Sequence, residues 1–160
     1  MIKIDGEFIE SVSLKAKTAP RRRINYNFHP FPEDTLQRML NAMEPETYIQ
    51  PHKHEIPDKT EVFFCLRGKL LVVEFDENGN IADYILLDSN SQNYGCEIAP
   101  RIYHSIICLE SGSVAYEVKD GPYNPQDDKH FAPWAPSEND PKAYEFNEKV
   151  LQQLNISIKP

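Results

Sequence analysis

The 160-residue chain has room for about one domain and is too short for two ordinary ones. Its 40% hydrophobic, 26% charged and 11% aromatic content is that of a globular, soluble chain and excludes disorder. Twenty-five acidic against seventeen basic residues leave a formal charge of -8, which disfavours gripping a nucleic-acid backbone.

The longest apolar run, Val62 to Leu66, is far too short for a membrane span. The opening MIKIDGEF lacks the apolar core of a secretory signal. Cys65, Cys96 and Cys108 form an odd set without CxxC spacing, which fits a reduced, cytoplasmic chain with free thiols.

Residues 5–18 read as a helix, with Asp5 as N-cap and Phe8, Ile9, Val12 and Ala16 on one face. The basic knot Arg21-Arg22-Arg23 follows, either a solvated turn or an anion clamp. From 24 to 119 the texture becomes short strands broken by turn signals: 24–28, 36–43, 62–68, 69–76, 81–88, 96–99, 104–110 and 113–119. Asn78-Gly79 and Ser111-Gly112 are hairpin turns. This pattern predicts an all-β sandwich or barrel. The proline-rich segment GPYNPQDDKHFAPWAPSENDP, beginning at Gly121, excludes ordinary strands or helix, yet carries Tyr123, Phe131 and Trp134. Residues 121–136 of it are therefore expected to pack across the barrel mouth as a wall of the site. A last helix is expected from Pro141, capped by Asp140, with Ala143, Phe146, Val150 and Leu154 as its docking face.

Chemistry concentrates in PHKHEIPDKTEVFFCLRG (51–68). His52 and His54 are two apart, so on a strand both imidazoles share a face. Glu61 heads the apolar strand that follows, and His104 opens another strand far along the chain. An HxH pair alone is more often a surface pair. With Glu61 and His104, it makes a nitrogen-rich site for one divalent first-row metal: Zn, Fe, Ni or Mn. Asp58 competes with Glu61 for the carboxylate position, but sits in a loop after a proline, whereas Glu61 leads into the strand. With Glu61 inward, Phe63 and Cys65 face inward too; with His104 inward, so do Ile106 and Cys108.

The placing of Glu46, His52, His54, Glu61 and Gly68 resembles the first cupin motif, and Gly95, Pro100 and His104 loosely resemble the second. Glu46 and Arg101 stand where those motifs have glycines, and Cys108 where the second has asparagine. The stretches RRRINYNFH (21–29), QRMLNAMEPETYIQPHKH (37–54) and EVKDGPYNPQDDKHFAPWAP (117–136) are similar to the WbuC family of cupin-fold metalloproteins. The resemblance implies a double-stranded β-helix, or jelly-roll barrel, with short terminal helices. It also implies a single cupin domain over 1–160: helix to 20, barrel 24–119, packed tail 120–140 and helix 141–155. Family members often come from bacterial O-antigen and other surface-polysaccharide gene clusters, which implies carbohydrate-related chemistry.

Asn25, Asn27, His29, Arg38, Lys129 and Trp134 are expected as substrate contacts, and Tyr103 as an acid or base. Lys129 meets an anionic substrate group or is simply solvated. Two functional classes stand open. One is a metal-dependent enzyme, an isomerase, epimerase or iron-dependent dioxygenase, on a small carbohydrate, sugar nucleotide or keto compound. The other is a metal-bearing module that binds such a molecule without turnover. Val62, Phe64 and Leu66 alternate with the inward set and are equally apolar, so the chain is expected to form a homodimer.

Overall fold

The computed structural model describes residues 1–158; the last two positions of the expected 1–160 domain lie outside them. In chain order these residues form α1 (Gly6–Thr18), β1 (Arg23–Asn27), β2 (Leu36–Met43), β3 (His52–Lys53), β4 (Glu61–Arg67) and β5 (Lys69–Phe75). There follow β6 (Ile81–Asp88), β7 (Gly95–Ile98), β8 (Tyr103–Cys108), β9 (Ser113–Asp120), β10 (His130–Phe131) and α2 (Ala143–Gln153). The strands build two five-stranded antiparallel sheets, β1-β2-β9-β4-β7 and β10-β3-β8-β5-β6. No helix among the described residues is long and apolar enough to cross a membrane.

Two sheets face to face share one interior, and each still has an outer face to cover. Phe63, Cys65, Leu70, Val72, Ile106, Cys108 and Ala115 meet in that interior, as the alternation from Glu61 and His104 predicts. The outer face of the first sheet, with Leu40, Ala42 and Val114, is covered by Val12 and Ala16 of α1. The outer face of the second, with Leu71, Val73 and Ile107, is covered by Ala132 of the tail and Val150 and Leu151 of α2. Strand β8 is consequently buried along its whole length. Each large aliphatic side chain so enclosed contributes about 1.5–3 kcal/mol.

Local chemistry sets the element ends. Asp5 accepts a hydrogen bond from the Phe8 amide and caps α1. Asp76 Oδ1 accepts from the Asn78 and Asn80 amides, closing the β5–β6 turn around Gly79 at φ +86. Gly68 has φ +73, and a Cβ there would lie 2.3 Å from Ser113 Oγ, so only glycine joins β4 to β5.

Two expectations are corrected. The proline-rich tail does contain a strand: β10 pairs with β3, Phe131 opposite His52, because the prolines lie outside the two residues that need the ladder. Helix α2 starts at Ala143 rather than Pro141. Asp140 instead closes a turn ahead of it, its Oδ1 accepting from the Lys142 amide at 2.8 Å.

All three cysteines are free, with Cys65 and Cys108 buried. Burial pushes the Cys65 and Cys96 thiols up to about 11 and that of Cys108 to about 12. A thiol reagent is expected to count three groups in the unreduced, denatured protein. In the native protein at pH 8 it should reach the less buried Cys96 first. A count of one would overturn the free-thiol assignment.

Candidate metal centre

A neutral imidazole has one N–H, and where that hydrogen goes decides which nitrogen is left to bind. His52 Nδ1 lies 2.9 Å from the Gln50 carbonyl, and His104 Nδ1 lies 2.9 Å from that of Ile102. His54 Nδ1 is against the Asp128 carbonyl. With each Nδ1–H given to a backbone oxygen, all three Nε2 lone pairs are free. Strand pairing sets His52 opposite His104, and Glu61 heads β4 on the facing sheet. One donor atom from each of His52, His54, Glu61 and His104 falls within 4.8 Å of every other. Metal–ligand bonds of about 2.0–2.2 Å require donor atoms about 3–4 Å apart, so little movement completes the sphere.

The orphaned atoms point the same way. Nε2 of His52 and of His54 is buried without a hydrogen-bond partner. Glu61 Oε1 lies 2.9 Å from His54 Nε2, and Oε2 lies 2.8 Å from His104 Nε2. Lone pairs this close, in a group 2–3% exposed, call for a cation among them. Burial, with the charge of Lys129 adding to it, drives the His52 pKa well below its ordinary value, so this ring stays neutral and available as a ligand. Burial works against ionising Glu61, but the His104 and His54 contacts and the Lys119 charge outweigh it and hold its carboxyl well below the usual range. The group fits a divalent first-row metal.

Behind it lies a buried ionic chain. The Asp128 carboxylate accepts from Lys59 Nζ at 2.7 Å and from Lys119 Nζ at 2.8 Å. Lys119 Nζ is also 3.6 Å from Glu61 Oε1. The same Asp128 therefore orients His54 through its carbonyl and Glu61 through Lys119. Burial would neutralise Lys119, but Glu61, Glu117 and Asp128 reverse this and raise its pKa to about 12.

The group opens on a cavity of about 570 Å³ between the sheets. Asn25, Asn27, His29 and Lys129 line it; Gln37, Met39 and Asn41 line it from β2. Arg38 alternates with those three and does not line the cavity, so its expected substrate role is corrected. Tyr103 is corrected likewise: it alternates with His104 and packs in the outer cluster, its ring 5.7 Å from that of Trp134 and under Lys53 Nζ. Trp134 packs 5.2 Å from Phe75 and 6.1 Å from Phe146, beneath Gly79, and is a seal on the outer face. Of the tail, Tyr123, Asp128, Lys129, Phe131 and Glu138 wall the cavity; Trp134 does not. Asp58 pairs with Arg101 at 2.8 Å and takes no part in the group. Arg101 itself has φ +69, so an arginine holds the left-handed turn of the motif glycine.

Sequence reasoning missed Glu117, a buried carboxyl on β9 that lines the cavity outside the four-residue group. Its partner is the Asn41 amide. Burial and then the Glu61 charge push its pKa up to about 7, against the pull of Lys119 and Lys129. The available signal was period two, since Glu117 and Lys119 alternate along β9 and share one face.

A family model described as Domain of unknown function (DUF6016) matches residues 4–87. No curated protein matches the sequence. Among solved structures, CapF of Staphylococcus aureus is 20% identical, with a TM-score of 0.55 over 71% of this chain and 32% of its own. An oxalate decarboxylase of B. subtilis is 16% identical, with a TM-score of 0.53 over 84% of this chain and 33% of its own. L-ribose isomerase of Cellulomonas parahominis is 14% identical, with a TM-score of 0.53 over 69% of both chains. The chain spans about a third of the length of CapF. These neighbours are cupin-fold proteins, and the two antiparallel sheets form the cupin jelly-roll barrel.

The Glu117 shift predicts a pH dependence of stability in the metal-free protein. The native carboxyl, raised to about 7 from 4.5, holds its proton more tightly than the unfolded chain does. The contribution of this group to stability is thus full below pH 4.5 and is lost as pH rises through 7. Glu117→Gln cannot ionise and should gain on the parent by roughly 1–3 kcal/mol between pH 5 and 8. Urea unfolding at the two pH values measures this; parallel pH profiles would refute it.

Proposed function

This chain belongs to the family described as Domain of unknown function (DUF6016), and from the site it carries we propose a metal-dependent cupin enzyme acting on a small carbohydrate. The observation that carries the reading is Glu117: a buried, cavity-lining carboxyl that is not one of the four clustered donors and is held by the Asn41 amide. A module that only binds has no need of a buried carboxyl facing the open side of the site, where it can take a proton from a bound molecule.

In this reading His52, His54, Glu61 and His104 hold one divalent metal, Zn, Fe, Ni or Mn. A metal bound there acts as a Lewis acid towards a carbonyl or hydroxyl oxygen. Glu117 removes the proton from the carbon next to that carbonyl and returns it to the neighbouring carbon or to the opposite face, giving isomerisation or epimerisation. Asn41 fixes the Glu117 carboxyl, and Lys119 adds its charge to the His104 and His54 contacts that keep Glu61 ionised. Asn25 and Asn27 offer amide groups to sugar hydroxyls. Support for a carbohydrate comes from the similarity to the WbuC family, from the capsular polysaccharide assembly named for CapF and from the sugar isomerase among the neighbours. The reading places the protein in the cytoplasm, as one cupin domain serving surface-polysaccharide biosynthesis.

The test has two parts. Elemental analysis should find one metal per chain, lost in His104→Ala and retained in Asp58→Ala. Incubating the metal-loaded protein with aldoses, ketoses and sugar nucleotides in D2O should give deuterium uptake next to a carbonyl, abolished in Glu117→Gln. Sugars that bind but never exchange or change would overturn the enzyme reading.

The same reading takes the protein as a homodimer. Phe64 and Leu66 on the outer side of β4 are 47% and 38% exposed, whereas the stretches beside them lie under α1. Light scattering should give twice the monomer mass, and Phe64→Glu should halve it. A monomer at micromolar concentration would refute this.

A further inference from the structure

Nearly every charged side chain lining the cavity has an ionic partner among the described residues. Glu138 takes Arg23 at 2.5 Å and Arg21 at 3.7 Å. Asp128 takes Lys119, and Glu61 is shared by two imidazoles and Lys119. Two groups remain: Glu117, held by a neutral amide, and Lys129, which has neither hydrogen bond nor ion pair among the described residues.

Lys129 is an exposed lysine that stands at the cavity wall. It lines the cavity together with His52, Glu61 and His104. Its charge is felt at His52 and Glu61. An unpaired cation at the cavity wall gains from an anion arriving beside it.

The charge balance favours an anion too. The basic and acidic side chains lining the cavity are equal in number. A divalent ion in the four-residue group therefore leaves the cavity positive, inside a chain whose formal charge is -8. The kind of anion follows from what is missing. Neither α1 nor α2 lines the cavity, so no helix N-terminus offers amides to a phosphate, and Arg21 and Arg23 are engaged by Glu138. One monovalent ammonium suits one carboxylate.

We propose that the substrate is a carboxylate-bearing carbohydrate of the uronate class, its carboxylate paired with Lys129 while its hydroxyl or carbonyl oxygens face the His52–His54–Glu61–His104 group. The cavity volume, about 570 Å³, is within the range of small-molecule sites and admits a monosaccharide with room to spare. This inference rests on the metal-dependent reading above.

Calorimetry on the full chain, reconstituted with Zn²⁺ or Mn²⁺, tests it with D-glucuronate, D-glucose and D-glucose 6-phosphate as probes. Glucuronate should bind about ten-fold or more tighter than glucose, the worth of one charge-assisted contact. Lys129→Met should abolish that preference with metal content unchanged, and Lys129→Arg should keep it. Equal binding of glucuronate and glucose, no binding of either, or a preference that survives Lys129→Met overturns the inference. Glucose 6-phosphate binding more tightly than glucuronate overturns the carboxylate assignment in favour of a phosphate. Failure of the wild-type chain to take up metal sinks the underlying reading as well, whereas full metal uptake without a glucuronate preference sinks this inference alone.

Discussion

Three imidazoles aim their Nε2 atoms at one place because each has surrendered its other nitrogen to a backbone carbonyl. Those carbonyls, of Gln50, Asp128 and Ile102, come from three separated parts of the chain. The site therefore depends on the loop before β3, the approach to β8 and the tail all being in place at once. The tail is tied down by the β10–β3 pairing and by the Ala132 amide donating to the Pro51 carbonyl at 2.8 Å. An irregular, proline-rich segment thus orients a clustered histidine from outside the cluster. The prolines help, because they reduce the entropy lost on fixing it.

Desolvation governs the electrostatics around that cluster. Lys59, Asp128 and Lys119 are each at most 5% exposed, and burying them unpaired would be prohibitive. They are tolerable because each ammonium meets the Asp128 carboxylate directly. The same chain of charges extends to Glu61, which remains ionised in a buried place. Glu117 has no such help from a direct cation. A short distance along the same wall, two carboxyls therefore end in opposite states, one held as an anion and one held near neutrality. In the proposed mechanism this difference divides the roles of ligand and proton carrier between Glu61 and Glu117.

The two sheets enclose the cavity, and the terminal segments coat their backs. Helix α1 lies on one sheet, and α2 with the Trp134 end of the tail lies on the other. Trp134 belongs to this coat, where Phe75, Tyr103 and Phe146 surround it. Coating both faces is what allows β8 to be apolar on both sides, and it keeps the inner face free for polar groups at the mouth.

Much of this was legible in the residues. Alternation and turn chemistry marked eight of the strands, with β2 and β6 at their observed bounds. The spacing of His52, His54, Glu61 and His104 marked the donors, since two residues apart on a strand means one shared face. Asp5 marked the start of α1, because capping is local chemistry. Assignments of side failed where both faces of a strand are apolar: nothing local distinguishes Arg38 from Gln37, or Tyr103 from His104, until it is known which face holds the cavity and which holds a helix. Glu117, Asn41, Lys119 and Asp128 were invisible as a set for a related reason. They lie on two strands and a loop, and only the pairing of β2 with β9 and the Lys119–Asp128 contact bring them to one wall. Residue type and spacing determined the chemistry available to this chain, and the register of distant strands decided which groups share a cavity, because cross-strand contact has no counterpart in the linear order.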